Sequence, residues 1–207
     1  MTEALLAALE WPDASRLVCT DGTVIELPTK KWLGALTPAD QAVLAHAAAP
    51  VLDVGCGPGR HVAALARRGV MALGIDVAPG ALRLARDQGA AVLQRSIFER
   101  VPGAGHWGSA LLLDGNIGIG GDPHALLCRI RDVLDDDGVV LAEVDPPGCD
   151  CRRTYARLEK GPLTTDWFPW ATVGADGVAG LAADCGFALR ESWTEEGYRW
   201  FAKLAKL

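Results

Sequence analysis

Short apolar runs alternate with amphipathic segments through the middle of the chain. Such apolar runs are typical of strands buried on both faces of a sheet, and the segments between them have helical spacing. The predicted strands are 51–54, 71–76, 90–93, 109–114 and 139–144, and the predicted helices are 61–68, 80–88 and 123–134. Because strands and helices alternate, we expect a parallel sheet wound on both faces.

The first 45 residues form a separate segment before this alternation begins. Residues 2–11 have helical spacing, and a short hairpin is indicated around Asp21–Gly22. A further helix is predicted to begin after Thr37, with Pro38 in its first turn. We predict that residues 1–45 are an accessory or lid segment.

The pattern changes again after the fifth strand. Residues 146–173 mix proline, glycine, charge and bulky aromatics, and we expect an insertion that covers the substrate. A helix closed by Gly186 and two strands joined at Glu196–Gly197 follow, while 135–138 indicate a solvated turn. The predicted α/β fold of residues 46–207 is therefore a Rossmann-like, doubly wound, mostly parallel seven-stranded sheet. It has helices on both faces and an antiparallel C-terminal hairpin.

A glycine-rich turn follows the first strand, in the stretch "VLDVGCGPGRH" at residues 51–61. Gly55, Gly57 and Gly59 give the spacing GxGxG. The dinucleotide fingerprint GxGxxG would need a third glycine where Arg60 stands, and a Walker phosphate loop would need a GKS or GKT sequence that is missing. The turn therefore indicates a ligand at a helix N-terminus but fits neither phosphate-binding motif.

This stretch, followed by "ALGIDVAP", resembles motif I and the next motif of the class I S-adenosylmethionine-dependent methyltransferases. The later segment "LLLDGNIGIGGDPHALL" also resembles a group of small bacterial methyltransferases of unassigned substrate. The resemblance implies that Asp53 lies beneath the cofactor and that Asp76 accepts both ribose hydroxyls, a task that suits a carboxylate. The implied contacts to the methionine, ribose and adenine come from Gly55, Cys56, Gly57, Gly59 and Val77.

One position departs from the family pattern. The family often has an acid after the third strand that receives the adenine amino group, and here that place is Ser96. A serine hydroxyl accepts a hydrogen bond but carries no charge. We therefore expect the adenine to be held by Ser96, by the backbone around Ile97 and by packing on Val77.

The loop after the fourth strand is dense in glycine and begins at Asp114. Because ligands of open α/β sheets bind at the carboxyl ends of strands, Asp114 and Asn116 are predicted to contact the methionine, the sulfonium or the substrate. In the alternative interpretation Asp122 is only a helix N-cap and the glycines only permit a turn.

Methyl transfer from a sulfonium needs alignment more than activation, so a general base is required only if the acceptor must lose a proton early. His61 and His124 are the candidate bases by position, although either could be a cap or a surface histidine. The aromatic candidates for a lid are Trp32, Trp167 and Trp170, and Trp32 could clamp the methionine carboxylate. Cations available for an acidic acceptor group are Lys31, Arg153 and Arg199.

Charge and composition argue against several classes of binding partner. The net charge is −6 and the basic residues are scattered, which disfavours a nucleic-acid substrate. No apolar run is long enough for a membrane span, so a cytoplasmic protein without a membrane partner is expected, as a monomer or homodimer. The six cysteines form no CxxC pair, and the histidines complete no zinc pattern, so no metal site is predicted.

The sequence therefore predicts an S-adenosylmethionine-dependent methyltransferase that acts on a small-molecule acceptor, by O- or N-methylation, through in-line transfer. One alternative is a protein that binds S-adenosylmethionine or S-adenosylhomocysteine without transferring the methyl group. A second is an NAD-dependent oxidoreductase, which the missing third glycine and the lack of a Ser/Tyr/Lys catalytic set disfavour.

Overall fold

The computed structural model describes residues 16–207, so the helix predicted at 2–11 lies outside the described residues. The strands are β1 (Arg16–Cys19), β2 (Val24–Glu26), β3 (Val51–Val54), β4 (Ala72–Asp76), β5 (Val92–Gln94), β6 (Trp107–Leu112), β7 (Leu134–Val144), β8 (Arg152–Lys160), β9 (Leu163–Thr164), β10 (Phe168–Thr172), β11 (Phe187–Glu195) and β12 (Arg199–Lys206). The helices are α1 (Thr29–Leu33), α2 (Pro38–Ala45), α3 (Arg60–Arg67), α4 (Pro79–Asp87), α5 (Pro123–Val133) and α6 (Val178–Asp184), with a 3-10 segment at Asn116–Gly121.

Seven strands form the main sheet in the order β11-β12-β7-β6-β3-β4-β5. The five strands from β7 to β5 are parallel, and β12 and β11 close the edge as an antiparallel hairpin. The strands β3 and β6 are wholly buried because the sheet is covered on both faces. The predicted fold class is confirmed.

Apolar residues pack on the two faces of this sheet in separate clusters. The larger cluster joins Leu126 and Ile130 of α5 to Phe187 of the terminal hairpin, and the other joins Val43 of α2 to Phe201. The helix α2 begins as predicted, since the Thr37 hydroxyl accepts from the Asp40 backbone N–H and the Asp40 carboxylate accepts from Thr37 N–H.

A second, antiparallel sheet is built from the two segments that lie outside the strand–helix alternation. Its order is β10-β8-β1-β2, with β9 paired to β8, and the predicted hairpin around Asp21–Gly22 supplies β1 and β2. Strands within 146–173 were not predicted from the sequence. Only Ala156 and Leu158 of β8 are buried, and most of its other residues are charged, so its sequence does not show the apolar pattern of a strand.

The turn predicted at 135–138 is corrected by the structure. These residues belong to β7, which begins at Leu134 opposite Trp107. The register then shifts between the pairings of Trp107 and Ser109, so the three consecutive aspartates lie in an irregular part of the strand. Of the helices described between residues 16 and 207, none combines the length and apolar composition that a membrane crossing requires.

Candidate functional site

A cavity of about 390 Å³ lies at the carboxyl ends of β3, β4 and β6, under the second sheet. Its volume is in the range of small-molecule sites, and its position is the crevice where open α/β sheets bind ligands. Twelve predicted site residues line it, namely Trp32, Asp53, Gly55, Cys56, Gly57, His61, Asp76, Val77, Ser96, Ile97, Asp114 and Asn116. The other two, Gly59 and His124, do not.

The glycine turn is held in shape by Asn116. The Asn116 side-chain amide donates to the carbonyls of Val54 and Gly55, at 2.9 Å each. Gly55 has a φ of 73°, and a Cβ there would lie 2.8 Å from Asn116 Nδ2, so a side chain is excluded. Gly57 also has a positive φ of 52°, but a Cβ there would meet nothing within 4 Å. Asn116 thus positions the end of β3, and Gly57 leaves room at the cavity wall.

Asp76 ends β4 with both carboxylate oxygens already oriented. One oxygen accepts from the Gly57 backbone N–H at 2.9 Å and the other from Ala78 N–H at 2.8 Å. Burial raises the pKa of the Asp76 carboxyl, and the two N–H donors act against this rise. Each oxygen keeps a further acceptor site. The arrangement fits the vicinal hydroxyls of a ribose.

Asp53 lies at the bottom of the cavity and is 1% exposed. Its Oδ2 atom makes no hydrogen bond with the described residues and lies 3.5 Å from His61 Nδ1. Buried carboxylate oxygens are normally hydrogen-bonded, and this long contact leaves the oxygen able to accept a hydrogen bond from a polar ligand group. Together with the open space at Gly57 and the carboxylate of Asp76, it indicates that the present residues fit an aminoacyl nucleoside.

Gly59 has a different role from the one predicted. It begins α3 with a φ of 79°, and a Cβ there would lie 2.7 Å from the Cβ of Ala85. This contact is with α4 and not with the cavity. Gly59 is therefore required for close packing of the two helices, which corrects its assignment as a cofactor contact.

A buried cluster of charges, missed in the sequence, lies behind the glycine turn. Arg60 is 4% exposed and binds Asp40 of α2 with one nitrogen and Asp114, at 2.6 Å, with another. Arg199 of β12 binds Asp40 at 2.9 Å and Glu143 of β7 at 2.8 Å. In the sequence, Glu143 could have been noticed as a charged residue inside the apolar run "VVLAEV". Asp40 indicated only the capping of a helix.

This cluster also fixes Asp114, which has an unusual φ of 55°. The Asp114 backbone N–H donates to Glu143, and its carboxylate binds Lys31 Nζ at 2.9 Å as well as Arg60. Burial raises the pKa of Asp114, but Arg60, His61 and Lys31 outweigh burial, so the pKa lies below its usual value. Asp114 is therefore a carboxylate at neutral pH.

The three cations predicted to be available for an acidic acceptor are all paired. Lys31 binds Asp114, and Arg199 is enclosed by Asp40 and Glu143. Arg153 is exposed and binds Asp122 at 2.7 Å. The structure therefore corrects that expectation.

His61 is buried between two carboxylates and does not fit the predicted role of general base. Its Nδ1 lies 3.5 Å from Asp53 and its Nε2 lies 3.7 Å from Asp40. Burial lowers the pKa of the imidazole, but the two carboxylates outweigh burial and raise it to about 9. His61 is therefore protonated at neutral pH and cannot accept a proton.

His124 opens α5 outside the cavity, which corrects its assignment as a base. Its nearest polar side-chain neighbour is Cys128, one helical turn away. Asp122 caps the same helix by accepting from Ala125 N–H, as the alternative interpretation expected. That capping does not remove Asn116 or Asp114 from the cavity wall.

The end of the cavity predicted to hold the adenine carries a serine where the family often has an acid. The Ser96 hydroxyl accepts from Phe98 N–H at 3.3 Å, and the side chain of Ile97 packs into the core. Arg95, not singled out from the sequence, lines the same end, and its buried Nε has no hydrogen-bond partner among the described residues. An uncharged serine thus stands beside an unpredicted arginine.

The roof of the cavity comes from the second sheet and from α1. Trp32 packs against Ala78 and Ala81, and both Trp32 and Trp170 line the cavity. Trp167 does not line the cavity; it is 44% exposed and lies under the Arg157 guanidinium. Two of the three lid tryptophans therefore contact the space over the glycine turn. The remaining roof residues are Leu17, Leu27, Leu158, Phe168 and Pro169.

Residues 51–138, from the first core strand to the irregular start of β7, match the model of a family described as methyltransferase domain. Residues 51–138 are therefore similar to a methyltransferase domain. The match supports the resemblance to S-adenosylmethionine-dependent methyltransferases, together with the enzyme class and the cofactor that this resemblance implied.

Solved structures share the fold of this chain. An S-adenosylmethionine-dependent methyltransferase from Bacteroides fragilis, in complex with S-adenosyl-L-homocysteine, has 24% identity and a TM-score of 0.82, over 98% of this chain and 94% of that one. The 1,6-didemethyltoxoflavin-N1-methyltransferase of Burkholderia thailandensis has 20% identity and a TM-score of 0.61, over 82% and 76%. The CcbJ methyltransferase of Streptomyces caelestis has 15% identity and a TM-score of 0.63, over 85% and 92%. A comparison with curated proteins gave no match.

Proposed function

We propose that the chain transfers a methyl group from S-adenosylmethionine to a small, largely apolar acceptor held under the second sheet. The observation that carries this proposal is that one cavity has a polar floor and an apolar roof. Its floor presents the glycine turn, Asp53 and Asp76, and its roof presents apolar side chains from β1, β8 and β10. The sulfonium, when bound, supplies an activated methyl group.

The floor residues would hold the cofactor in a defined orientation. Asp76 would accept the ribose hydroxyls, because its two oxygens already point in fixed directions. Gly57 would allow the backbone to approach the ligand, and Asp53 would accept a hydrogen bond from the aminoacyl end through Oδ2, which makes no hydrogen bond with the described residues. Val77, Ser96 and the segment at Ile97 would contact the adenine.

The roof supports an acceptor of apolar character. Leu17 and Leu158 are each 5% exposed and pack together with Trp170 and Phe168. No charged side chain of β1, β8 or β10 lines the cavity; of the described arginines, those that line it are Arg60, which is paired with Asp114, and Arg95. Aromatic and aliphatic walls bind ligands mainly by burial of apolar surface. Displacing water from this wall would favour a flat or aliphatic acceptor over a charged one.

The residues around the acceptor supply positioning and not proton transfer. His61, the described histidine in the cavity wall, is charged, and Asp114 is held by three cations. The accepting atom must therefore be nucleophilic on its own, as an amine or an ionised hydroxyl is. Asn116 and the roof would align that atom with the methyl group and exclude water.

Several finer predictions stay predictions. They are the O- or N-methylation, the lid role of residues 1–45 and 146–173, the cytoplasmic location, the monomeric or homodimeric state and the absence of a nucleic-acid partner. The small acceptor is supported by the cavity volume of about 390 Å³, which is in the range of small-molecule sites.

The acceptor class is tested with S-adenosylmethionine labelled in its methyl group and three fractions of a bacterial lysate: small molecules, proteins and nucleic acids. We expect label to enter only small molecules and to follow them into an organic solvent. The control is the Asp76→Asn variant, which should incorporate little label.

Label in the protein or nucleic-acid fraction would contradict the proposal, and so would label confined to highly charged small molecules. Undiminished binding of S-adenosylhomocysteine with no transfer to any fraction would instead support the alternative of a binding protein without methyl transfer.

A further inference from the structure

The structure brings together three residues with metal-binding side chains outside the cavity. His124 and Cys128 lie one turn apart on α5, and Cys185 is the C-cap of α6. Their ligand atoms all lie within 4.8 Å of one another. The sequence did not indicate this group, because Cys185 is distant along the chain and the pattern contains no CxxC pair.

We propose that His124, Cys128 and Cys185 form a binding site for a soft divalent cation of the zinc type. Zinc takes thiolate and imidazole ligands at about 2.3 Å and about 2.0–2.1 Å, which places neighbouring tetrahedral ligand atoms roughly 3.5–3.8 Å apart. The Cys128 sulfur lies 3.8 Å from His124 Nδ1 and 4.0 Å from Nε2. Closing this triangle on a metal needs a side-chain adjustment of about 1 Å or less.

The surroundings favour three protein ligands and an open fourth position. Cys185 is 2% exposed, Cys128 is half-buried and His124 is exposed. The cluster thus has a buried thiol side and a solvent side, from which water can complete the tetrahedron. The Cys185 sulfur also contacts the His124 backbone carbonyl at 3.3 Å, so the two helices are already joined at this point.

Binding would release protons and link two helices. Each thiol loses its proton to solvent as its sulfur bonds to the metal, and the imidazole binds through an unprotonated nitrogen. The metal would then tie the start of α5 to the end of α6. This site is separate from the cavity, so it neither depends on methyl transfer nor supplies it.

The reduced full-length chain is titrated with Co²⁺ as a spectroscopic probe and then with Zn²⁺. We expect thiolate-to-cobalt charge-transfer absorption and the visible bands of tetrahedral cobalt, saturating at one metal per chain and abolished by Zn²⁺. Zn²⁺ should also raise the Tm. Removing a direct ligand by Cys128→Ser or His124→Gln should weaken metal binding by at least the roughly 10–100-fold that loss of an orienting partner costs.

The matched control is a Cys149→Ser, Cys151→Ser double variant, because both of these thiols are exposed and lie outside the cluster. It should bind cobalt as the parent chain does. His124 is exposed, so His124→Gln keeps the test valid if Cys128→Ser fails to fold. The proposal is overturned if no thiolate band forms, if the band survives both ligand variants, or if the control abolishes it.

Discussion

The variant Gly57→Ala, compared with Gly69→Ala, distinguishes a loss of space for the ligand from the cost of backbone strain. Gly57 and Gly69 both have positive φ, 52° and 74°, and a Cβ at either would meet nothing within 4 Å. Gly57 lines the cavity, whereas Gly69 is exposed beyond the end of α3. An L-residue in this conformation costs roughly 1–2 kcal/mol. At about 2–4 °C per kcal/mol for a chain of this size, each variant should lose about 2–8 °C of Tm.

Only Gly57→Ala should also weaken cofactor binding. Its methyl group would occupy space at the wall that the cofactor needs, and forcing an extra methyl into a filled site costs about 1–3 kcal/mol. That corresponds to a rise in Kd of about 5–150-fold. Calorimetric titration with S-adenosylhomocysteine measures this, with Gly69→Ala as the control. Equal Kd values for the two variants would refute the placement of the cofactor against Gly57.

Three further predictions concern the charged groups of the site. Asp76→Asn should raise the Kd for S-adenosylhomocysteine about 10–100-fold in calorimetry, because a hydrogen bond to a charged group contributes about 1.5–3 kcal/mol; an unchanged Kd would exclude the ribose contact. Arg60→Met should lower the free energy of unfolding by about 3–5 kcal/mol in urea denaturation, whereas Arg153→Met, in an exposed ion pair, should lower it by less than about 1 kcal/mol. The raised pKa of His61 contributes stability that is complete below pH 6.5 and is lost as the pH rises through about 9. The free energy of unfolding should therefore fall by an amount on the order of 3 kcal/mol over this range, and His61→Gln should reduce that fall. An equal fall in the variant would contradict this assignment.

The main sheet could be predicted because its strands are apolar on both faces. Every core strand from Val51 to Val144 is recognisable as a short apolar run, and the glycine turn marks where the first strand ends. The second sheet could not be predicted in the same way. Its strand β8 buries only Ala156 and Leu158, and its partner β1 lies more than 130 positions away along the chain.

The residues proposed to bind the cofactor could be predicted from local spacing, because Asp53, Gly55, Gly57 and Asp76 belong to one strand–helix–strand unit. The charge cluster depends instead on tertiary contacts, because Asp40 lies far from Arg199 in sequence and only the fold joins them. His61 illustrates the consequence. Its position beside the glycine turn predicted a base, but the unseen carboxylate of Asp40 makes it a cation.

The central claim is that the cavity over Gly57 and Asp76 binds the cofactor of a methyltransferase. Calorimetric titration of the purified chain with S-adenosylhomocysteine, and separately with NADH, tests it most directly. We predict micromolar binding of S-adenosylhomocysteine at one site per chain and no heat with NADH. No heat with S-adenosylhomocysteine, or binding of NADH alone, would contradict the claim.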